Sequence, residues 1–94
     1  MKIGYVYILK CSDNTYYTGF TSNLYNRIEE HIQGKYQESY TYKRRPLDLV
    51  FYCEFTDFQQ AISYEKKIKK WSKLKKEALI NGEFDNLRNL AKKK

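Results

Sequence analysis

Two short runs rich in aromatic and β-branched residues, Ile3 to Cys11 and Thr15 to Phe20, stand three residues apart. So short a connector between extended segments dictates a hairpin, and its length decides which side chains share a face. A two-residue Asp13-Asn14 turn would pair Lys10 with Tyr17 and send Tyr7 and Tyr17 to opposite faces, because side chains alternate along a strand. A three-residue loop, Ser12-Asp13-Asn14 with Asn14 in the left-handed region, pairs Leu9 with Tyr17 and turns both phenols the same way. The second register is the one expected.

Downstream, Asn23 to Gln33 reads as a helix capped by Ser22 or Asn23, with an apolar stripe of Leu24, Ile28 and Ile32. The polar segment Gly34 to Arg45 is a loop, the sole proline, Pro46, marks a strand entrance, and Leu47 to Phe55 is a third strand. Asp57 to Trp71 is a second helix capped by Thr56 or Asp57, and Ser72 opens a shorter one ending near Asn81-Gly82. The expected architecture is therefore α+β, in the order β-β-α-β-α-α, with a small antiparallel three-stranded sheet flanked by helices. At 94 residues the chain suits one compact domain, residues 1–82, with residues 83–94 a short basic tail that belongs to it or frays. Cys11 and Cys53 lack zinc or redox spacing and read as reduced core thiols. The N-terminal run is neither a signal peptide nor a membrane span, so a cytoplasmic protein is expected.

Polar groups intrude on the apolar faces. Phe58, Ala61 and Ile68 lie seven before, four before and three after Glu65, so the second helix turns an acid toward its core stripe. A carboxylate there calls for a cation, a metal or several hydrogen bonds to offset its desolvation. An ion pair with an arginine, or a buried water, is the plainest way to meet that demand. Arg27 and His31, four apart, border the stripe of the first helix, and Tyr7 and Tyr17 sit within the strand runs. Trp71, three residues beyond Ile68, reads as a core anchor.

In this order and at this spacing, these residues resemble the GIY-YIG endonuclease superfamily, in particular its short stand-alone members. The first motif appears as Tyr5-Val6-Tyr7, the second as Tyr17-Thr18-Gly19, the helical arginine as Arg27 and the metal-binding glutamate as Glu65. The resemblance spans Lys2 to Ile80. Tyr5, Val6 and Thr18 depart from the eponymous letters, and Phe20 and Thr21 stand where some relatives carry a lysine. The resemblance implies hydrolysis of a phosphodiester, with Tyr7, Tyr17, Arg27, His31 and Glu65 at the site. Glu65 would be the sole protein ligand of Mg2+ or Mn2+, bound weakly until substrate oxygens complete the shell. Arg27 would grip the scissile phosphate through a planar pair of donors. Two candidates stand for the general base. A tyrosine, with a pKa of about 10, needs nearby positive charge, from Arg27 or the metal, to accept a proton near neutrality, whereas His31 titrates near the right pH unaided. The favoured expectation has Tyr7 and Tyr17 acting together around the water, with His31 supporting the phosphate or a tyrosine hydroxyl.

The net charge of +7 is placed unevenly. Residues 1–65 hold 7 basic and 8 acidic side chains, whereas residues 66–94 hold 11 basic and 3 acidic. Lysines crowd the segment just after Glu65, so a polyanion drawn to them would lie beside the acid. Lys66, Lys69 and Lys73 are candidate nucleic-acid contacts there. Lys35 and the loop residues Lys43, Arg44 and Arg45, interleaved with Tyr40 and Tyr42, are the others. A solvated helix face and a loop whose tyrosines pack on the domain are the bland counterparts of these readings. The expectation is a metal-dependent endonuclease of low sequence specificity acting on DNA rather than RNA, with branched, nicked or single-stranded forms as candidate substrates. A protein partner could confer specificity. The alternative is a non-catalytic nucleic-acid-binding protein that keeps the fold.

Overall fold

The computed structural model describes residues 2–82. Strands β1 (Gly4–Lys10) and β2 (Tyr16–Thr21) form the hairpin, helix α1 (Leu24–Gln33) follows, and a single 3-10 turn (Tyr42–Arg44) precedes β3 (Asp48–Phe55). Helices α2 (Phe58–Lys69) and α3 (Lys73–Ile80) complete the order. The sheet is antiparallel throughout, with β1 in the middle of the order β2-β1-β3. The α+β architecture is as the sequence implies.

Local chemistry explains the boundaries. Asn14 takes φ 70°, its amide bonds the Cys11 carbonyl at 3.0 Å, and Leu9 pairs with Tyr17, so the loop is the three-residue form. Each helix begins where a short polar side chain accepts an otherwise orphaned amide: Asn23 from Asn26 at 3.1 Å, Asp57 from Gln59 at 2.8 Å and Ser72 from Lys75 at 3.2 Å. Gly34, at φ 70°, closes α1 in the left-handed conformation that a side chain resists.

Strict alternation along β1 divides the interior in two. Val6 and Ile8 join Ala61, Ile68 and Leu79 in a hydrocarbon cluster, against which Tyr64, Trp71 and Phe55 also lean. Tyr7, Leu9 and Cys11 join Leu47 on the other side, covered by Tyr17, Leu24 and Ile28. One expectation for α1 needs correction: Ile32 is 48% exposed, and the buried residue of the helix is His31. A histidine can occupy that place because hydrogen bonds await both its ring nitrogens. Cys11 is buried and Cys53 half-buried, both as free thiols. Among the described residues no helix is long and apolar enough to cross a membrane.

Candidate active site

The hairpin register sets Tyr7 directly opposite Gly19. That pairing makes room for the phenol, since a Cβ built on Gly19 would stand 2.5 Å from Cζ of Tyr7. The ring is fully buried, and its hydroxyl meets Nε2 of His31 at 3.0 Å. Nδ1 of His31 in turn meets Oγ1 of Thr41 at 2.9 Å, and Oγ of Ser39 lies 3.2 Å from the same threonine oxygen. A polar chain thus runs from the central strand through α1 to the loop before β3.

Two titration shifts give this chain a direction. Burial, reinforced by the neighbouring Tyr17, pushes the Tyr7 phenol well above its usual range, and the opposing pull of Arg27 does not cancel this. Burial, then the charge of Arg27, pushes His31 below its usual 6.5 despite the opposing Glu30. In the tautomer that leaves Nε2 free to accept from the protonated phenol, Nδ1–H donates to Thr41. Desolvation of the phenolate thus outweighs the pull of Arg27 on Tyr7.

Tyr17 lies on the same side as Tyr7, with ring centroids 6.3 Å apart, and 5.3 Å from the His31 ring. Its other flank is covered by Tyr40, nearly parallel at 6.0 Å. Arg27 is 42% exposed at its side chain and its Nε pairs with Glu30 at 3.2 Å. It is near enough to Tyr7 to influence the phenol, although the hydrogen bond the phenol makes is to His31. Glu65 is less deeply placed than a core position implies: its side chain retains 12% exposure, and its carboxylate meets Nζ of Lys69 at 3.3 Å. Its negative charge still reaches Tyr7 and raises that pKa further. Tyr17, Arg27 and Glu65 thus act electrostatically on one phenol, and His31 binds it directly. Among the described residues no three histidine, cysteine, aspartate or glutamate side chains gather to hold a metal. A cation here would rest on Glu65 alone, a donor set suited to magnesium only when substrate oxygens and waters complete the shell.

The basic residues separate into engaged and unengaged groups. Arg44 pairs with Asp13 at 3.0 Å, donates to the Tyr40 carbonyl at 2.7 Å and lies 3.8 Å over the Tyr40 ring. Arg45 donates to the Tyr42 carbonyl at 2.9 Å and lies 4.4 Å over that ring. Both arginines brace the loop that carries Thr41, and the Arg44 side chain remains partly exposed. Lys35 pairs with Glu30 at 3.5 Å and Lys69 with Glu65. Lys43, Lys66 and Lys73 are exposed and make no ion pair among the described residues. Lys73 lines a cavity of about 270 Å³ with Lys76 beside the hairpin turn. Lys76, whose ammonium is pushed down by burial and then by Lys69, is a basic residue that the sequence did not single out. Thr41, buried beside His31 in the loop before β3, is the other residue. The available signal was a small hydroxyl residue amid charged neighbours, which by itself says little.

Comparison with known proteins bears on the family and the fold. The family model described as the GIY-YIG catalytic domain matches residues 3–78. A UPF0213 protein of Syntrophus aciditrophicus is 45% identical over 80 residues, covering 85% of this chain and 92% of the relative. The solution NMR structure of the UPF0213 protein BH0048 from Bacillus halodurans superposes with a TM-score of 0.56 at 39% identity, covering 84% of this chain and 83% of that one. The solution NMR structure of EF2693 from E. faecalis gives 0.60 at 29% identity, covering 87% and 86%. With the family model matched over residues 3–78, this chain belongs to the GIY-YIG family, and it is similar to small UPF0213 proteins along most of their length.

Proposed function

We propose that the protein is a metal-dependent endonuclease that hydrolyses phosphodiester bonds in DNA. The observation that carries the reading is the buried Tyr7–His31 hydrogen bond of 3.0 Å, on a face shared with Tyr17 and within electrostatic reach of Arg27 and Glu65. Neither partner is a ready base alone, but together they move a proton. Once substrate binding opens the buried phenol to a water, the Tyr7 oxygen takes that water's proton as it attacks phosphorus, while the phenol's own proton passes to Nε2 of neutral His31. The Nδ1–H bond to Thr41 holds the imidazole in the tautomer that can accept it. Tyr17 borders the same space and would orient the water. Arg27, half-exposed and able to leave Glu30, would clamp two phosphate oxygens. Glu65 would hold the divalent cation, which when bound would offset the charge building on the phosphoryl oxygens. Lys66, Lys69 and Lys73, on and just after α2, would attract the DNA backbone toward that acid.

A second reading has one observation in its favour. Glu65 and Arg27 each have an ion-pair partner without substrate, as suits a protein that binds nucleic acid and does not cut it. Cleavage of supercoiled, linear, branched and single-stranded DNA, with magnesium or manganese, separates the two. The nuclease reading requires that wild type cut at least one substrate. It also requires that Glu65→Ala and Arg27→Ala lose cleavage while still retarding DNA at low salt. Wild type that binds every substrate and cuts none establishes the binding reading instead.

A further inference from the structure

A second cavity opens on the same side of the sheet as the phenols. In the antiparallel register Tyr52 of β3 stands opposite Tyr7 and Glu54 opposite Tyr5, so these side chains continue the face that carries the polar chain. With Asn23 and Tyr25 at the start of α1 they bound a space of about 400 Å³. Two features are unusual for a protein drawn to a polyanion. Tyr52 and Tyr25 are 56% and 75% exposed, and among the described residues the only charged group lining the cavity is the Glu54 carboxylate. Among the described residues Glu54 makes no hydrogen bond or ion pair, and no lysine or arginine lines the space. Such a lining repels a phosphate and offers flat aromatic faces to something uncharged.

The cavity is joined to the proposed phosphate grip by one turn of helix, since the Arg27 amide bonds the Asn23 carbonyl at 3.1 Å. A nucleotide whose phosphate lay on Arg27 would carry its base toward Tyr25 and Tyr52. A base inside a duplex cannot enter, because its faces and its pairing edge are occupied; an unpaired base can. The carboxylate then discriminates among bases. It only accepts hydrogen bonds, so it favours an edge with two adjacent donors. Guanine presents N1–H beside its N2 amino group. Cytosine and adenine each set an amino donor next to a ring-nitrogen acceptor, and thymine flanks its single N–H with two carbonyls. We propose that the cavity bounded by Tyr5, Tyr25, Tyr52 and Glu54 receives an unpaired guanine base whose adjoining phosphate sits on Arg27, an inference that rests on the nucleic-acid reading above.

The test measures binding and cutting separately. Fluorescence anisotropy, with a chelator present, compares short thymidine strands carrying one central guanine, hypoxanthine or adenine base with an all-thymidine strand. The guanine strand is expected to bind wild type about tenfold more tightly than the all-thymidine strand, the size of one good base-edge contact. Hypoxanthine, which lacks the amino group, should fall between them. Glu54→Gln places a donor beside an acceptor and should turn the preference toward adenine. Tyr52→Ala should weaken guanine binding while circular dichroism, expected to be unchanged for so exposed a residue, verifies the fold. Equal affinity of wild type for all four strands overturns the base site, as does a Glu54→Gln variant with the wild-type ranking. Cleavage of the same strands with magnesium is followed in parallel. Cutting without base preference overturns this inference alone, whereas base preference without cutting of any strand overturns the nuclease reading alone.

Discussion

The two faces of β1 are built from alternate residues of one strand, yet they are unlike in chemistry. Toward α2 and α3, Val6 and Ile8 meet Ala61, Ile68 and Leu79, and their burial needs no partner beyond close packing. Toward α1, Tyr7 meets His31, which meets Thr41, and each of these buried groups would destabilise the fold if its partner were lost. Hydrocarbon would fill that space more safely. The contrast assigns the burden of stability to one face and leaves the other free to be chemically demanding.

The sharpest way to break this division is to remove one oxygen from the demanding face. Tyr7→Phe should lower the cleavage rate about a thousandfold, within the range for losing a proton-transfer group, in a nicking assay on folded protein. Activity within a few-fold of wild type would remove Tyr7 from the chemistry. Ile68→Ala tests the other side: about 3 kcal/mol of stability should be lost in urea unfolding, with cleavage per folded molecule retained. Thr41→Val leaves Nδ1 of His31 and the Ser39 hydroxyl without their shared partner, so a loss of about 2 kcal/mol is expected with about a tenfold lower rate. A rate unchanged at that cost would make the threonine purely structural.

The hydrocarbon face has one flaw, and mending it gives a smaller effect of opposite sign. The buried Thr18 Oγ1 finds no partner among the described residues, so Thr18→Val should raise stability by about 1 kcal/mol. The smallest effect is one of pH. Because burial holds His31 below 6.5 in the folded protein, the unfolded chain takes up its proton first as pH falls. The neutral ring's contribution is therefore complete above pH 6.5 and is lost as pH falls through the lowered folded value. Urea unfolding across this window should show an acid-side slope in wild type that is shallower in His31→Gln. Equal slopes would mean that another group is responsible.

Features set by short-range geometry could be read from the chain before its structure. Three residues between the strand runs, the last an asparagine able to take positive φ, gave the register, and short polar residues gave the caps. Glu65 stood out because an acid interrupts an apolar helical stripe, although the Lys69 partner and the residual exposure show that it occupies the stripe's margin. The stripe of α1 misled, because periodicity ranks Ile32 above His31 and cannot see that a tyrosine and a threonine from distant segments will satisfy an imidazole. The loop between α1 and β3 misled further. With no repeating pattern to orient its side chains, the sequence did not show that Tyr40, Tyr42 and Asp13 engage Arg44 and Arg45. The roles of the candidate catalytic residues belong to the mutants above.

Gly19 shows how a position without a functional group can govern a reaction. The Tyr7 ring occupies the volume that any other residue there would claim, so even alanine would have to evict the phenol or push the two strands apart. Loss of activity by substitution at Gly19 would thus leave every reactive atom present in the sequence while denying one of them its seat, and no inventory of acids, bases and ligands would reveal the cause.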